Sequence, residues 1–98
     1  MEITFKNHDY DRLETDASFD AGFSAPIVKM YRKRIQTIRA AVDERDFYAL
    51  KSLHFEKLKG DRAGQFSMRI NEQWRLILEF KKDSSGKTVV VIEIADYH

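Results

Sequence analysis

Two alternating runs of apolar and polar residues constrain this chain more than any other stretch. They are Gln65 to Ile70 and Gln73 to Phe80, and almost nothing separates them. A period of two is the signature of a strand. Two strands joined this closely have to pair antiparallel, so their register can be tested by parity. A two-residue turn at Asn71-Glu72 would set Met68 opposite Arg75 and mix core with charge on one face. A three-residue loop, Asn71-Glu72-Gln73, pairs Ile70 with Trp74, Met68 with Leu76 and Phe66 with Leu78. The second register gives one continuous apolar face that can receive helices. It also sets Arg69 opposite Arg75 on the other face. Like charges directly opposed are destabilising unless an anion lies nearby. Two anions are available to such a pair: Glu93, brought beside Arg75 from the next strand, or a bound phosphate, which suits the planar fork of arginine.

The remaining elements fall around this hairpin. Glu2 to Lys6 alternates as a short strand. Asn7 or Asp9 can cap a short helix reaching about Thr15, with Tyr10 and Leu13 on one face. Residues 17–23 form a loop containing Gly22. Ser24-Ala25-Pro26 marks a helix start, with a hydroxyl at the cap and proline in the first turn. Ile27, Tyr31, Ile35, Ile38 and Val42 then recur every three or four residues, which predicts a helix over about 25–43 packed on a sheet by one stripe. Asp46 can cap a short helical piece over 47–52. Residues 57–64 read as a loop rich in turn signals. Beyond the hairpin, residues 81–87 are a polar connection. Thr88 to Ala95 is a β-branched strand with Val90, Ile92 and Ile94 expected inward. The order is strand, helix, helix, then three antiparallel strands. The expected architecture is α+β, a small antiparallel sheet with two N-terminal helices packed on one face, in a single domain spanning 1–98.

Composition removes whole classes of function. With no Cys there is neither a disulfide framework nor a thiolate metal site. The three His residues, His8, His54 and His98, match no metal-ligand spacing. No apolar run approaches the ~20 residues of a membrane span, and the first residues do not read as a signal peptide, so a cytoplasmic protein is expected. No nucleophile elbow and no phosphate-binding glycine loop is present. The net charge of +1 hides a basic middle third: residues 27–62 carry ten Lys or Arg against five Asp or Glu. Such a block fits either a solvated helix face or a polyanionic partner. The sequence closes on Asp96-Tyr97-His98 directly after the last strand. There the tyrosine and histidine could move protons near neutral pH.

Several of these residues recur together elsewhere. Leu58-Lys59-Gly60-Asp61-Arg62-Ala63-Gly64, then Ser67 to Asn71, Gln73-Trp74-Arg75 and the final Asp96-Tyr97-His98 resemble the HigB-type toxins of the RelE/ParE toxin–antitoxin superfamily. The resemblance covers roughly the C-terminal 40 residues; the N-terminal half matches in its order of elements. It implies a RelE-like βααβββ fold and a ribosome-dependent endoribonuclease that cleaves mRNA in the A site and inhibits translation. The RNA 2′-hydroxyl would attack the adjacent phosphate, with neither metal nor cofactor. It further implies a HigA-like helix-turn-helix antitoxin as partner, contact with DNA only through that antitoxin, and no membrane. Arg75, Asp96, Tyr97 and His98 are then the expected catalytic residues. Lys59, Arg69, Arg62 and His54 are the expected phosphate or RNA contacts. The family's histidine shortly before the Lys-Gly pair falls here on Glu56, with His54 two residues earlier. The alternative within the superfamily is a ParE-like inhibitor of DNA gyrase without nuclease chemistry.

Overall fold

The computed structural model describes residues 1–84 and 86–96. Its elements are β1 (Glu2–Phe5), α1 (His8–Thr15), α2 (Ala25–Ala40), α3 (Arg45–Ala49), β2 (Glu56–Lys57), β3 (Phe66–Arg69), β4 (Trp74–Asp83) and β5 (Gly86–Asp96). Short 3-10 turns lie at Lys51–Leu53 and Gly60–Arg62. The strands form one sheet in the order β1-β5-β4-β3-β2. The hairpin register is the one parity requires: Phe66 faces Leu78, Met68 faces Leu76 and Arg69 faces Arg75. The Asn71 carboxamide closes the loop by accepting from the amides of Gln73 and Trp74, each at 2.8 Å. An Asx side chain commonly stabilises a turn in this way.

The fold departs from the expected one in six places. The sheet is mixed, because β1 pairs parallel to β5. Parallel neighbours need a long crossover connection, and here all three helices and the strands β2 to β4 lie between β1 and β5. A fifth strand, β2, forms within the segment expected as a loop, pairing Glu56 with Ser67 and Lys57 with Phe66. Two residues are too few to show a period. The expected connection over 81–87 is mostly strand: β4 runs on to Asp83 and β5 starts at Gly86. Helix α2 stops at Ala40, and Val42 is 84% exposed rather than part of the buried stripe. The carboxylate of Asp46 accepts from the Val42 amide at 2.8 Å instead of capping a later helix.

The sixth departure is the inward set of β5. Ile77 faces Glu93 but Leu78 faces Val91, so Ile92 is an extra residue in β5. A bulge of this kind reverses the alternation on either side of it. Val89, Val91 and Ile94 therefore enter the main core, while Ile92 and Val90 join Leu58, Ile77 and Ala95 on the opposite face.

The main core lies between the sheet and the helices. Leu13, Ile27, Tyr31, Ile35, Ile38 and Phe47 pack against Met68, Leu76, Leu78, Val89 and Val91. The α1–α2 pair is tied by Arg39, whose Nε and Nη2 donate to both oxygens of Glu14 at 2.8 and 2.7 Å. Arg32 donates to the carbonyls of Leu13 and Asp16, where α1 ends and its carbonyls lack helical partners. Tyr31 is fully buried and donates its hydroxyl to the Tyr10 carbonyl at 2.7 Å. Burial raises the pKa of both phenols. The hydroxyl of Tyr10 in turn accepts from the Ile94 amide at 3.0 Å, at a point on β5 beyond the end of β1.

Candidate active site

The open face of the hairpin carries Ser67, Arg69, Arg75 and Ile77, because those positions alternate with the core residues. Arg75 is held tightly: only 15% of its side chain is exposed. Its Nη2 donates to the main-chain carbonyl of His54 at 2.6 Å and to the hydroxyl of Ser67 at 2.8 Å. Ser67 is completely buried, the one polar residue so buried among those described. Glu56 stands 3.6 Å from the same nitrogen. The Nε of Arg75 is buried and has no acceptor among the described residues. An uncompensated buried donor is costly, and this one is enclosed, so an acceptor reaches it only if its surroundings move.

Arg69 lies beside it. Its Nη1 is 3.3 Å from Nε2 of His54. A guanidinium can only donate, so Nε2 is the accepting nitrogen and the ring proton sits on Nδ1 in this arrangement. Glu72, almost fully exposed, is 3.9 Å from the other end of the Arg69 fork. His54, Arg69, Asn71, Glu72 and Arg75 line a shallow pocket of about 270 Å³.

His54 contributes through its backbone as well as its ring. Its φ of 44° and ψ of 46° are left-handed, a conformation that costs a non-glycine residue about 1 kcal/mol or more. That turn is what aims its carbonyl at Arg75 while its ring reaches Arg69. His54→Gly should therefore keep the backbone and leave urea-measured stability within about 0.5 kcal/mol. His54→Val should lower it by about 1 kcal/mol or more, because a β-branched residue resists this conformation. Equal stability of the two variants would show that the left-handed turn is unstrained.

The other expected site residues are placed as follows. Arg62 does not reach the pocket: it donates to Gln65 Oε1 at 2.9 Å and pairs with Glu93 at 3.5 Å. Glu93 is therefore not the anion beside Arg75; it faces Ile77, while Arg75 faces Ala95. Lys59 is exposed at the entry to the turn Gly60–Arg62; its carbonyl accepts from the Arg62 amide at 3.2 Å, and its ammonium has no partner among the described residues. Asp96 ends β5 opposite Trp74 and accepts from Gln73 Nε2 at 2.9 Å. It is thus held to the hairpin loop at the end of the sheet where the arginines lie. Tyr97 and His98 lie outside the described residues. Three contributors were not singled out from the sequence. Ser67 sits at a small alternate position that gave no sign of its partner. Glu56 becomes relevant only once β2 is seen to form. Arg34 donates from α2 to the Arg69 carbonyl at 2.7 Å, a contact between residues 35 apart.

No group of three or more His, Cys, Asp or Glu side chains with metal-binding geometry occurs among the described residues. The chemistry legible in this pocket is that of an anion site. Two arginine forks and an imidazole converge on a shallow depression, with two carboxylates at its margin.

A family model described as a RelE-like toxin of the type II toxin–antitoxin system HigB matches residues 4–98. The chain belongs to the HigB-like toxin family. It is therefore a toxin of the RelE/HigB/YoeB superfamily of type II systems. Solved structures agree with this toxin in fold. The YoeB/ParE toxin from Agrobacterium tumefaciens is 22% identical, with both chains covered in full and a TM-score of 0.59. The toxin–antitoxin complex YoeB-YefM from Staphylococcus aureus matches at 22% identity, covering 100% of this chain and 97% of that one, with a TM-score of 0.57. The protein HP0894 from Helicobacter pylori matches at 17% identity, covering 99% and 94%, with a TM-score of 0.55. No curated protein matches the sequence. No helix of the toxin is long and apolar enough to cross a membrane.

Proposed function

We propose that this toxin is a ribosome-dependent endoribonuclease that cleaves mRNA in the A site, acts in the cytoplasm and is neutralised by a HigA-like helix-turn-helix antitoxin. The observation that carries the reading is the opposed pair Arg69 and Arg75, lining one shallow pocket with His54. A fixed pair of guanidinium groups in a half-buried pocket suits a phosphate whose charge grows during reaction.

In this reading the scissile phosphate lies over Arg75 and Arg69. The RNA 2′-oxygen attacks phosphorus, the bond to the 5′-oxygen breaks, and a cyclic phosphate and a 5′-hydroxyl result. One proton leaves the 2′-hydroxyl and one reaches the 5′-oxygen. Tyr97 and His98 are proposed for those transfers, with Asp96 orienting the end of the chain. No strong base is needed if the ribosome aligns the 2′-oxygen with phosphorus, since orientation alone supplies a large part of such a barrier. Lys59, exposed and with its ammonium unpaired among the described residues, is proposed as a further phosphate contact. The share of the basic middle block free to hold ribosomal RNA is smaller than the raw charge suggests. Arg32 and Arg39 are engaged within the fold, whereas Lys29, Lys33, Lys51 and Lys57 are exposed and unpaired among the described residues.

Mapping RNA 5′ ends after induction tests this directly. New ends bearing 5′-hydroxyls should appear within translated messages, and in purified reactions only when ribosomes are present. Broken DNA with intact mRNA would instead identify a gyrase inhibitor.

A further inference from the structure

The Arg34 side chain raises a question that its own helix does not answer. It leaves α2 on the side of the hairpin, is only partly exposed, and uses Nε to reach the Arg69 carbonyl. That carbonyl is accessible because β2 pairs only with Ser67 and Phe66 and has ended before Arg69. The arginine thus stands in for a missing strand residue. A neutral donor would satisfy the carbonyl equally well, yet the position holds a cation. No carboxylate lies within ion-pair distance of it among the described residues, and both of its Nη nitrogens are without partners there. Burial and the neighbouring Arg69 charge both disfavour the cation, lowering its pKa. The Arg34 guanidinium thus lies close to that of Arg69, which faces Arg75 across the hairpin. Against them stand Glu56 and Glu72, both at the solvent margin.

We propose that Arg34, beside Arg69, forms a second phosphate subsite that binds the internucleotide phosphate adjacent to the one at Arg69 and Arg75. The proposal rests on the RNA-cleaving reading given above. It explains why a charge is kept where a hydrogen bond alone would serve: a polyanionic strand leaving the pocket passes the edge that β2 leaves open. A point cation against a phosphate also adds a salt-dependent term that a brace would not.

The test uses the intact protein and two 2′-O-methyl oligoribonucleotides, which keep their phosphates but lack an attacking hydroxyl. One is a dinucleotide with a single internucleotide phosphate; the other is a trinucleotide with two. Wild type should prefer the trinucleotide by about tenfold, the worth of one charge-assisted contact. Arg34→Gln can still donate to the Arg69 carbonyl but carries no charge, so it should keep dinucleotide affinity and lose most of that preference. Arg34→Lys should recover part of it. A preference unchanged in Arg34→Gln would overturn the subsite and leave Arg34 as a brace. If Arg75→Ala weakens both oligonucleotides while Arg34→Gln alters neither, the subsite alone fails. If wild type binds neither and Arg75→Ala changes nothing, the RNA reading fails with it. Circular dichroism of each variant confirms that the sheet persists.

Discussion

Arg75→Ala will remove growth arrest, and in a purified translating system it will slow mRNA cleavage by a factor on the order of 10² to 10³. That range is what the loss of one fixed donor to a developing oxyanion typically costs. Arg75→Lys should recover little. An ammonium cannot reach the His54 carbonyl, the Ser67 hydroxyl and a phosphate at once, as a planar fork can. The same substitution has a structural cost that must be measured beside it. Removing the fork leaves the buried Ser67 hydroxyl and the His54 carbonyl without their donor, worth about 1 to 2 kcal/mol of stability. Urea unfolding gives that figure, and the cleavage rate of the folded fraction gives the other. Full growth arrest by a well-folded Arg75→Ala protein would remove this arginine from the mechanism.

Phe47→Ala will cost about 3 to 5 kcal/mol, the range for deleting a large buried aromatic. Phe47 has no exposed surface and packs against Phe55 and Phe80, with ring centroids 5.3 and 6.5 Å away. Phe55 in turn stacks on Phe66 of β3, so the cluster joins α3, the segment following it and the hairpin. Domains of this size are stable by only about 5 to 15 kcal/mol, so the variant should be marginal at 37 °C. His54 lies directly before Phe55, so the same change should loosen the carbonyl that holds Arg75. The measurement is the shift in the urea midpoint. A loss below about 1 kcal/mol would mean that the aromatic cluster collapses to fill the space.

The sequence made some of this legible and hid the rest for physical reasons. The hairpin register could be read because a one-residue slip would move a charged residue into the core, so parity admits a single answer. Helix α2 was readable from its stripe, but its end was not: Val42 continues the spacing and yet lies in solvent. Strand β5 misled because a single inserted residue at Ile92 reverses its inward set, and in a run of β-branched residues nothing marks the insertion. The parallel pairing of β1 depends on where the chain arrives at β5 after three helices and three further strands, which no local pattern encodes. At the site, both arginines followed from pairing arithmetic alone. Their partners did not. Glu93 was the expected counter-ion of Arg75, and it pairs with Arg62 instead. His54 reaches the pocket through an unusual backbone conformation that its neighbours do not announce.

The phenol of Tyr10 has a consequence beyond its two hydrogen bonds. Strand β1 is too short to flank the whole of β5, so the last residues of β5 would otherwise present a bare edge, the kind of surface on which foreign strands add and aggregates start. By taking the Ile94 amide, Tyr10 occupies that docking position with a side chain. That position of the β5 edge is thus closed to a foreign strand. A partner that approaches this end of β5 must use side chains, or first lift α1 away.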